Sequence, residues 1–402
     1  MALMPVAEAL AKVLAGVEPL PFEAASLAEA HGRVLASDLK ALRTQPPANV
    51  SAMDGYAVRG EDVASVPARL KVVGEVAAGR PFAGAVGAQE AARIFTGGVL
   101  PPGTDTVVIQ EVTERTGDTV VVTSATSRGR NVRPEGLDFR AGDVLLPRGH
   151  RLTSRSLALV AAMNHPTVPV HRRPKVALLA TGDELVPPGS TTGPGQIVYS
   201  NGFALGTLIR NEGADLLDLG IVGDHLGATV AAISRARRWG ADTLVTTGGA
   251  SVGDYDLVQQ ALTSLGLDLA FWKVALRPGK PLLHGRIADM RVLGVPGNPV
   301  SALVCALLFL VPLIRRLSGR SDLSFPTESA VLGIDLAEND ERTDYMRASI
   351  ENRDGITVAT PFPVQDSSML RPLAKADGLV IREPFAPAAR AGSLCVFLKL
   401  GL

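Results

Sequence analysis

The sequence predicts a multidomain protein of the α/β plus β class, and three observations predict it. Its 402 residues exceed what one hydrophobic core holds, at roughly 150 residues per domain. From residue 174 to about residue 325, near-continuous apolar strands alternate with helices, which is typical of a mostly parallel sheet covered on both faces. Residues 43–127 and 326–402 instead show short alternating apolar runs bounded by Gly, Pro or Asp. These runs predict β domains around a central doubly wound α/β domain.

The N-terminal part is predicted to be a discontinuous α+β domain. VAEALAKVLAG and LAEAHGRVLASDL, in residues 1–42, carry apolar residues at helical spacing, with a short strand between them. Residues 128–173 contain a hairpin-like piece, GDVLLPRGHRL, and a helix of similar type, SRSLALVAAMN. We therefore predict that 1–42 and 128–173 form one domain, into which a small β domain, 43–127, is inserted.

The central domain, 174–325, is predicted from four strands and the helices between them. The strands are KVALLA, ADLLDLGIV, DTLVTT and MRVLGV, and the helices span about 200–211, 225–239 and 256–265. Gly213, Gly240 and Gly266 stand where these helices should end. The apolar run Val300–Ile314 contains Pro312, and at about 15 residues it is shorter than the roughly 20 that span a bilayer. We predict that it is a buried helix, followed by a C-terminal β domain at 326–402.

Composition excludes several function classes. Forty basic and forty acidic residues give a formal net charge of zero, so nothing global attracts the chain to nucleic acid or to an anionic membrane, and neither partner is predicted. The two cysteines, Cys305 and Cys395, lie within apolar runs, a pattern that indicates neither a disulfide framework nor a thiolate metal site. The N-terminus lacks the pattern of a signal peptide. A cytoplasmic location is therefore expected.

The loops after the predicted strands carry unusual chemistry. Ligands of such sheets bind at the carboxyl ends of the strands, where this chain has TGDEL, GDH, GGASVGDYD and PGNPVS. Glycines let the backbone approach a ligand closely, and helix N-termini attract anions. In PGNPVS, we expect Asn298 to cap a helix whose first residue is Pro299. Together these loops predict a cradle for phosphate.

Carboxylates gather at the same edge of the sheet. They belong to Asp183, Glu184, Asp224, Asp254 and Asp256. Carboxylates repel a phosphate unless a hard cation lies between them, and Mg²⁺ is the usual cation. The cluster therefore predicts Mg²⁺ with a nucleotide or another phosphorylated ligand, although any single acid could simply cap a helix or form a turn.

Other motifs leave their interpretation open. FWKVALRPGKPLLHG contains Lys273, Arg277 and Lys280, which fit either a solvated hairpin or a site that holds an oxyanion. In NVSAMDGYAVRGED, spacing alone makes Asp54-Gly55 a hairpin turn. The chain has no Walker loop, GxGxxG or HExxH motif, so P-loop hydrolysis, dinucleotide redox chemistry and zinc hydrolysis lack their usual signals.

Seven ordered blocks carry a family resemblance. They are SAMDGYAVRGED, FTGGVLPPGTDTVVIQE, NVRPEGLDFRAGDVLLPRG, LLATGDELV, TTGGASVGDYDLV, KVALRPGKP and LGVPGNPVSALV. The chain resembles the molybdopterin molybdenumtransferases, the family of bacterial MoeA and the gephyrin E domain, from about residue 30 to residue 316, and more weakly in the C-terminal β domain. The resemblance implies a molybdopterin-binding α/β domain. It also implies a reaction in which adenylylated molybdopterin and molybdate give molybdenum cofactor and AMP, with Mg²⁺.

The same resemblance implies a homodimer whose active sites are shared between protomers. The cleft of one α/β domain would face the β insertion of the other. The resemblance further implies transient contact with a molybdopterin adenylyltransferase. The dithiolene sulfurs that take molybdenum belong to the substrate, so the reaction needs no protein cysteine.

The resemblance also assigns roles to residues. It implies catalytic roles for Asp54, Thr96, Asp138, Glu184, Lys273 and Arg277, substrate binding by Gly248, Gly249, Ser251, Pro296, Pro299, Arg347 and Ser367, and metal ligation by Glu184, Asp224 and Asp256. Asp54, Thr96 and Asp138 would approach molybdate or the scissile linkage from the facing domain. Lys273 and Arg277 would hold phosphate or molybdate.

The sequence departs from the family pattern in places. Arg277 stands where Lys is common, Ala250 where Val is usual, and Asp224 where related sequences often have two adjacent acids. Two alternatives remain beside molybdenum insertion: an adenylyltransferase or other pyrophosphate-cleaving enzyme, and a non-catalytic scaffold of the same fold. The SAMDGYAV insertion argues against the first, and the retained acidic and basic residues argue against the second.

Overall fold

The computed structural model describes residues 3–248 and 257–400. Up to residue 173 the backbone forms α1 (Val6–Leu14), β1 (Phe22–Ser26), β2 (Leu39–Lys40), β3 (Val50–Ser51), β4 (Gly55–Val58), β5 (Ala68–Val76), β6 (Glu90–Ile94), β7 (Thr106–Ile109), β8 (Thr113–Thr116), β9 (Thr119–Val122), β10 (Val132–Arg133), β11 (Val144–Leu146), α2 (Ser154–Ala162) and β12 (Thr167–His171). Single 3₁₀ turns lie at Gly60–Val63 and Gln110–Val112.

Strand pairing joins the two ends of this region. β1 pairs with β12 and β2 with β11, both antiparallel, and one apolar core contains Leu35 and Leu39 together with Val160 and Val170. The residues between them form a separate six-stranded sheet, in the order β7-β4-β6-β5-β9-β8. The inserted β unit therefore has its own hydrogen-bond network.

Three local expectations for this region are wrong. LAEAHGRVLASDL contains no helix: its backbone pairs instead with distant segments, through bridges from Val34 to Arg151 and from Leu35 to Val170. Tertiary pairing overrides helical spacing where a glycine already weakens the helix. GDVLLPRGHRL is not a hairpin, because β11 pairs with β2. The third expectation concerns α1, which was predicted to belong to the N-terminal domain. The helix is present, but Ala9 and Val13 pack in the core of the α/β unit.

The α/β unit follows, with its strands and helices close to the predicted positions. They are β13 (Lys175–Thr181), β14 (Leu185–Val186), β15 (Ile197–Val198), α3 (Asn201–Asn211), β16 (Asp215–Val222), α4 (Leu226–Trp239), β17 (Thr243–Thr247), α5 (Leu257–Ser264), β18 (Asp268–Trp272), β19 (Leu276–Arg277), β20 (Leu283–Ile287), β21 (Met290–Val295), α6 (Pro299–Cys305) and α7 (Val311–Leu317).

The sheet of this unit is doubly wound and mostly parallel, as predicted. Its order is β16-β13-β17-β21-β20-β18, and the first four strands are parallel. The sequence pattern missed β20 and β18; β20 is antiparallel to both of its neighbours, β21 and β18. Alternate residues of β13 enter opposite cores: Val176 and Leu178 pack with α3 and α6, and Ala177 and Leu179 with α4 and α5. Helices therefore cover both faces, which explains the unbroken apolar strands.

The predicted buried helix is longer than expected. The helical run Pro299–Leu317 has 19 residues, and 83% of its apolar window is buried inside the protein. A π-helical turn at Ala306–Leu310 precedes Pro312, and such a turn accommodates the hydrogen bond that a proline cannot make. In the described part of the chain, this is the one helix with the length and apolarity of a membrane span, and its burial makes it a core helix.

The C-terminal domain is a small barrel joined to the α/β unit. It contains β22 (Thr327–Leu332), β23 (Thr343–Arg353), β24 (Ile356–Pro361), α8 (Leu370–Lys375), β25 (Gly378–Arg382) and β26 (Leu394–Lys399). The sheet order is β19-β23-β24-β22-β26-β25, and pairing of β25 with β23 closes it. Because β19 belongs to the α/β unit, this strand ties the two domains together by backbone hydrogen bonds.

A buried ionic cluster fixes the end of α3 against the end of α7. Both carboxylate oxygens of Glu212 accept hydrogen bonds from Arg315 at 2.8 Å, and Arg320 donates a third at 2.8 Å. The three side chains are 4–7% exposed. Each charge is therefore removed from water and depends on its partners.

Replacing Glu212 should destabilise the fold strongly. Glu212→Gln keeps the shape but leaves buried Arg315 without its carboxylate partner, while Arg320 keeps Asp322. We therefore expect a loss of about 3 kcal/mol in the free energy of unfolding, measured by urea denaturation. Glu8 provides the control, because its salt bridge with Lys12 is exposed to solvent, with 3.7 Å between Nζ and Oε1. Glu8→Gln should lower the free energy of unfolding by less than about 1 kcal/mol. Equal losses in the two variants would contradict this account.

Candidate active site

A cavity of about 590 Å³ opens at the carboxyl ends of β13, β17 and β21. Its lining comprises Thr181, Glu184, Leu185, Ile197, Val198, Tyr199, Ser200, Asn201, Thr247, Gly248, Pro281, Pro296, Gly297, Asn298, Pro299, Ser368 and Leu370. The location is the one predicted from parallel-sheet geometry. Among the predicted site residues, Glu184, Gly248, Pro296 and Pro299 line it.

Gly248 allows the ends of β13 and β17 to meet. Its φ is +87°, and a Cβ at this position would lie 2.4 Å from the carbonyl oxygen of Thr181. A side chain therefore has no room, and the conformation is one that L-residues rarely adopt. The rest of the predicted glycine loop, with Gly249, Ser251, Asp254 and Asp256, lies outside the described residues.

Sequence reasoning missed Asn201, the first residue of α3. Its side chain is 9% exposed, and Nδ2 donates to Thr247 Oγ1 at 2.9 Å and to the Gly297 carbonyl at 2.7 Å. Asn201 thereby joins the ends of β17 and β21 at the cavity. Both amide hydrogens are used, so the acceptor Oδ1 is what remains for a ligand. The Ser-Asn-Gly run at a predicted helix start was the available signal.

The cavity has an apolar wall that the sequence pattern also missed. Ile197 and Val198 are 56% and 45% exposed, and Tyr199 adds its ring. Burial raises the pKa of Tyr199 to about 12, so its hydroxyl stays protonated. Aliphatic and aromatic side chains around a few polar groups are typical of small-molecule sites.

The C-terminal domain contacts the N-terminus of α6. Asn298 occupies the N-cap position and Pro299 begins the helix, as predicted, although the Asn298 side chain makes no capping hydrogen bond. Its Nδ2 donates instead to Ser367 Oγ at 2.9 Å, and the Ser367 carbonyl accepts from the Val300 amide at 3.1 Å. Ser367 thus performs the capping, because its carbonyl already holds the amide that a cap would satisfy.

Arg347 supports this contact from inside the C-terminal domain. It is 1% exposed, and its guanidinium donates to the Met369 carbonyl at 3.0 Å and to Gln365 Oε1 at 3.2 Å. Burial lowers the pKa of the Arg347 guanidinium. The structure therefore places Arg347 behind the loop that carries Ser367 and Ser368, not on the surface of the cavity.

Arg277 is placed between the domains. Its guanidinium donates to Asp344 at 2.6 Å, to Asn339 at 2.8 Å and to Asp340 at 3.1 Å, and the hydrogen bond with Asp344 raises its pKa. Lys273 has a φ of +108° and its backbone amide donates to the Leu282 carbonyl. The structure brings neither residue to the lining of the cavity.

Glu184 is the carboxylate among the cavity-lining residues, and Asp183 and Asp224 contact each other on the neighbouring loops. Glu184 and Asp224 are exposed, and Asp183 Oδ1 accepts from the Asp224 amide at 2.9 Å. Within the described ranges, no group of three or more His, Cys, Asp or Glu is arranged to hold a metal ion. Mg²⁺ needs no such cage, because it is held by one or two carboxylates and completes its shell with water and substrate phosphate.

Asp54 and Thr96 meet in the inserted β unit. Asp54 Oδ1 accepts from the Thr96 amide and from Thr96 Oγ1, both at 2.8 Å, and these bonds, the amide first, lower the pKa of Asp54. Asp138 is exposed and donates its amide to the Gln45 carbonyl at 3.0 Å. None of the three lines the cavity of its own chain.

Known proteins share the whole of this architecture. The molybdopterin molybdenumtransferase of Nostoc sp. is 40% identical over 342 residues, which are 83% of this chain and 78% of that protein. The chain belongs to the molybdopterin molybdenumtransferase family. That of Haemophilus influenzae is 35% identical over 91% of this chain and 92% of its own. The crystal structure of the molybdopterin biosynthesis MoeA protein from Pyrococcus horikosii covers 100% of both chains, with a TM-score of 0.85 and 31% identity.

Three family models match successive parts of the chain. The MoeA N-terminal region (domain I and II) matches residues 4–164, the probable molybdopterin binding domain matches 177–316, and the MoeA C-terminal region (domain IV) matches 329–400. The predicted family and fold class are confirmed. The cavity described above lies largely in the residues that the second of these models matches.

Gly248 should tolerate no side chain. Gly240, which ends α4 at a φ of +76° with nothing near its missing Cβ, is a matched control: Gly240→Ala should cost about 1 kcal/mol for the left-handed backbone alone. Gly248→Ala adds the collision with the Thr181 carbonyl and should cost a further 1–3 kcal/mol or so. Urea unfolding of both variants measures the difference, and equal costs would show that the close approach imposes no constraint.

Proposed function

We propose that this chain inserts molybdate into adenylylated molybdopterin and releases AMP, in a Mg²⁺-dependent reaction. Family membership assigns the chain to molybdenum cofactor biosynthesis as a molybdopterin molybdenumtransferase. The observation that carries the finer proposal is the combination found in the 590 Å³ cavity: an apolar wall at Ile197 and Val198, a glycine turn at Gly248, and a carboxylate at Glu184. A heterocycle, a phosphate and a cation each have a suitable surface there.

The acidic residues would hold Mg²⁺ against the substrate phosphate. Glu184 offers a carboxylate at the cavity, and Asp224 and Asp256 are proposed as further ligands. When bound, Mg²⁺ supplies positive charge to nonbridging oxygens as the phosphoric anhydride breaks. The chain's part is to orient the adenylate beside Glu184 and the loop that precedes α6.

The basic residues would contribute differently from each other. Lys273 stays the proposed contact for phosphate or molybdate. Arg277 is already paired with two carboxylates, which supports a role in holding the C-terminal domain beside the cavity. Arg347 would act in the same indirect way, through the loop that carries Ser367. Molybdate is a small dianion and the chain has no net charge, so selectivity would come from placed donors.

We also propose a homodimer in which the inserted β unit of one protomer completes the cavity of the other. Asp54 and Thr96 meet in that unit without lining their own cavity, as residues of a shared site would. A lowered pKa keeps Asp54 ionised at neutral pH. Since a carboxylate repels the molybdate dianion, Asp54 would accept a hydrogen bond or a proton beside the reacting atoms rather than bind molybdate directly.

The reaction can be tested by following AMP. The purified protein, given adenylylated molybdopterin, Mg²⁺ and micromolar molybdate, should release AMP, and chelation of Mg²⁺ should stop the release. Omission of molybdate should reduce the rate, because metal insertion and anhydride cleavage are coupled in this proposal. Equal AMP release with and without molybdate would identify a simple pyrophosphate-cleaving enzyme, and no release at all would leave only a scaffold.

Shared active sites can be tested by mixing inactive variants. Asp54→Ala and Glu184→Ala should each abolish turnover, whereas Asp54→Ala should retain binding of molybdopterin. Heterodimers of the two variants contain one intact site of two, and they make up half of a random equal mixture. The mixture should therefore recover about a quarter of the wild-type AMP release per dimer, and purified heterodimers about a half. Heterodimers confirmed by differential tagging but without activity would contradict the shared site.

A further inference from the structure

Arg93 lies on the strand next to the turn that carries Asp54. It is on β6, where its Cα pairs with Tyr56 of β4, while Gly55 pairs with Ile94 on one side and with Ile109 of β7 on the other. The Asp54–Gly55 turn therefore emerges from the middle strand of three. Neighbours on both sides of that strand can fix it.

The guanidinium of Arg93 is held in one orientation. It lies over the ring of Tyr56 at 5.2 Å and over the ring of Phe95 at 4.9 Å from the centroids. Stacking of this kind favours Arg over Lys, because the planar group matches an aromatic face. The side chain is thus pre-organised before it makes any hydrogen bond.

From this orientation Arg93 reaches both neighbours of the turn. Nη1 donates to the Gly55 carbonyl at 3.1 Å, and Nη2 donates to Gln110 Oε1 at 2.6 Å. The Gln110 amide in turn donates to the Asp54 carbonyl at 3.1 Å. Two consecutive backbone carbonyls, those of Asp54 and Gly55, are therefore held by hydrogen bonds. The Asp54 carboxylate is held separately by Thr96.

We infer that Arg93 is a positioning residue for Asp54: with Gln110 it clamps the turn so that the carboxylate is presented at one fixed place. The inference rests on the proposed function for the role of Asp54. It goes beyond that function by assigning a role to Arg93 and Gln110, which do not contact the ligand. A reacting group displaced by about 1 Å can lose roughly 100-fold in rate. A clamp of this kind acts on the rate of the chemical step, not on ligand affinity.

Charge supports the geometry. The charged side chains on the elements that pack against the turn are Glu90, Arg93, Glu111 and Arg133. Of these, Arg93 is the one whose charge acts on Asp54 and, after the two Thr96 bonds, lowers its pKa. Loss of Arg93 should therefore both loosen the turn and shift the titration of Asp54 upwards.

The experiment compares Arg93→Met and Arg93→Lys with Arg69→Met, an exposed arginine on β5 of the same sheet. We expect Arg93→Met to lower kcat for molybdate-dependent AMP release by at least 10-fold while KM for adenylylated molybdopterin changes by less than about 3-fold. Arg93→Lys keeps the charge but loses the two-point contact, so kcat should also fall. Arg69→Met should match the wild type.

A second readout does not require turnover. The Thr96 amide donates to Asp54 Oδ1, so its NMR shift should follow the protonation of Asp54. The midpoint should rise towards the ordinary Asp value in Arg93→Met, rise less in Arg93→Lys, and stay unchanged in Arg69→Met. If the wild type releases no AMP, the proposed function fails, while this titration still tests the clamp.

The outcomes separate clearly. A fall in kcat with a shifted Thr96 titration supports the clamp. Wild-type kcat and titration in Arg93→Met overturn it, and so does a fall in activity that a lower melting temperature fully explains. If Arg93→Met does not fold, Gln110→Met removes the acceptor for Arg93 Nη2 while keeping the Gln110 amide, and it should lower kcat by a smaller factor. Unchanged kcat in that variant overturns the inference as well.

Discussion

The cavity depends on how closely the backbone ends of β13 and β17 approach each other. At Gly248 a single hydrogen atom faces the Thr181 carbonyl, since a Cβ would lie 2.4 Å from it. Asn201 then holds the end of β17 to the loop after β21 with two hydrogen bonds. The carboxyl ends of three parallel strands are thus held next to each other, and the cavity lies between them. The missing side chain at Gly248 and the hydrogen bonds of Asn201 maintain this arrangement.

The C-terminal domain closes one side of this space, and it is attached by directional contacts. β19 adds to its sheet, Arg277 pairs with Asp344 and Asp340, and Ser367 caps α6. Arg347, fully buried, fixes the loop that carries Ser367. Residues that a family resemblance associates with substrate can therefore act one step away from it, by holding a wall of the cavity in place.

Parts of the molecule that depend on local pattern were predictable, and parts that depend on distant partners were not. The four parallel strands and the Gly-stopped helices followed from apolar runs between breakers. The expected helix at LAEAHGRVLASDL failed because Val34 and Leu35 pair with residues more than a hundred positions away. Likewise the position of Glu184 after a parallel strand was predictable from the sequence, whereas Asn201 and the Arg93 contacts needed the fold, since each joins strands that are remote along the chain.

Electrostatics explain why the proposed site would be divided between two surfaces. Glu184 lines the cavity, and Asp54, ionised because Thr96 and Arg93 stabilise its charge, lies in the inserted β unit. Carboxylates on both sides of an anionic substrate repel it unless cations intervene. Because the chain as a whole carries no net charge, it cannot offset that repulsion with a long-range field. In the proposed reaction, Mg²⁺ would offset the repulsion at the cavity and fixed donors would offset it at the inserted β unit. A carboxylate placed there acts usefully only if its position is held rigidly.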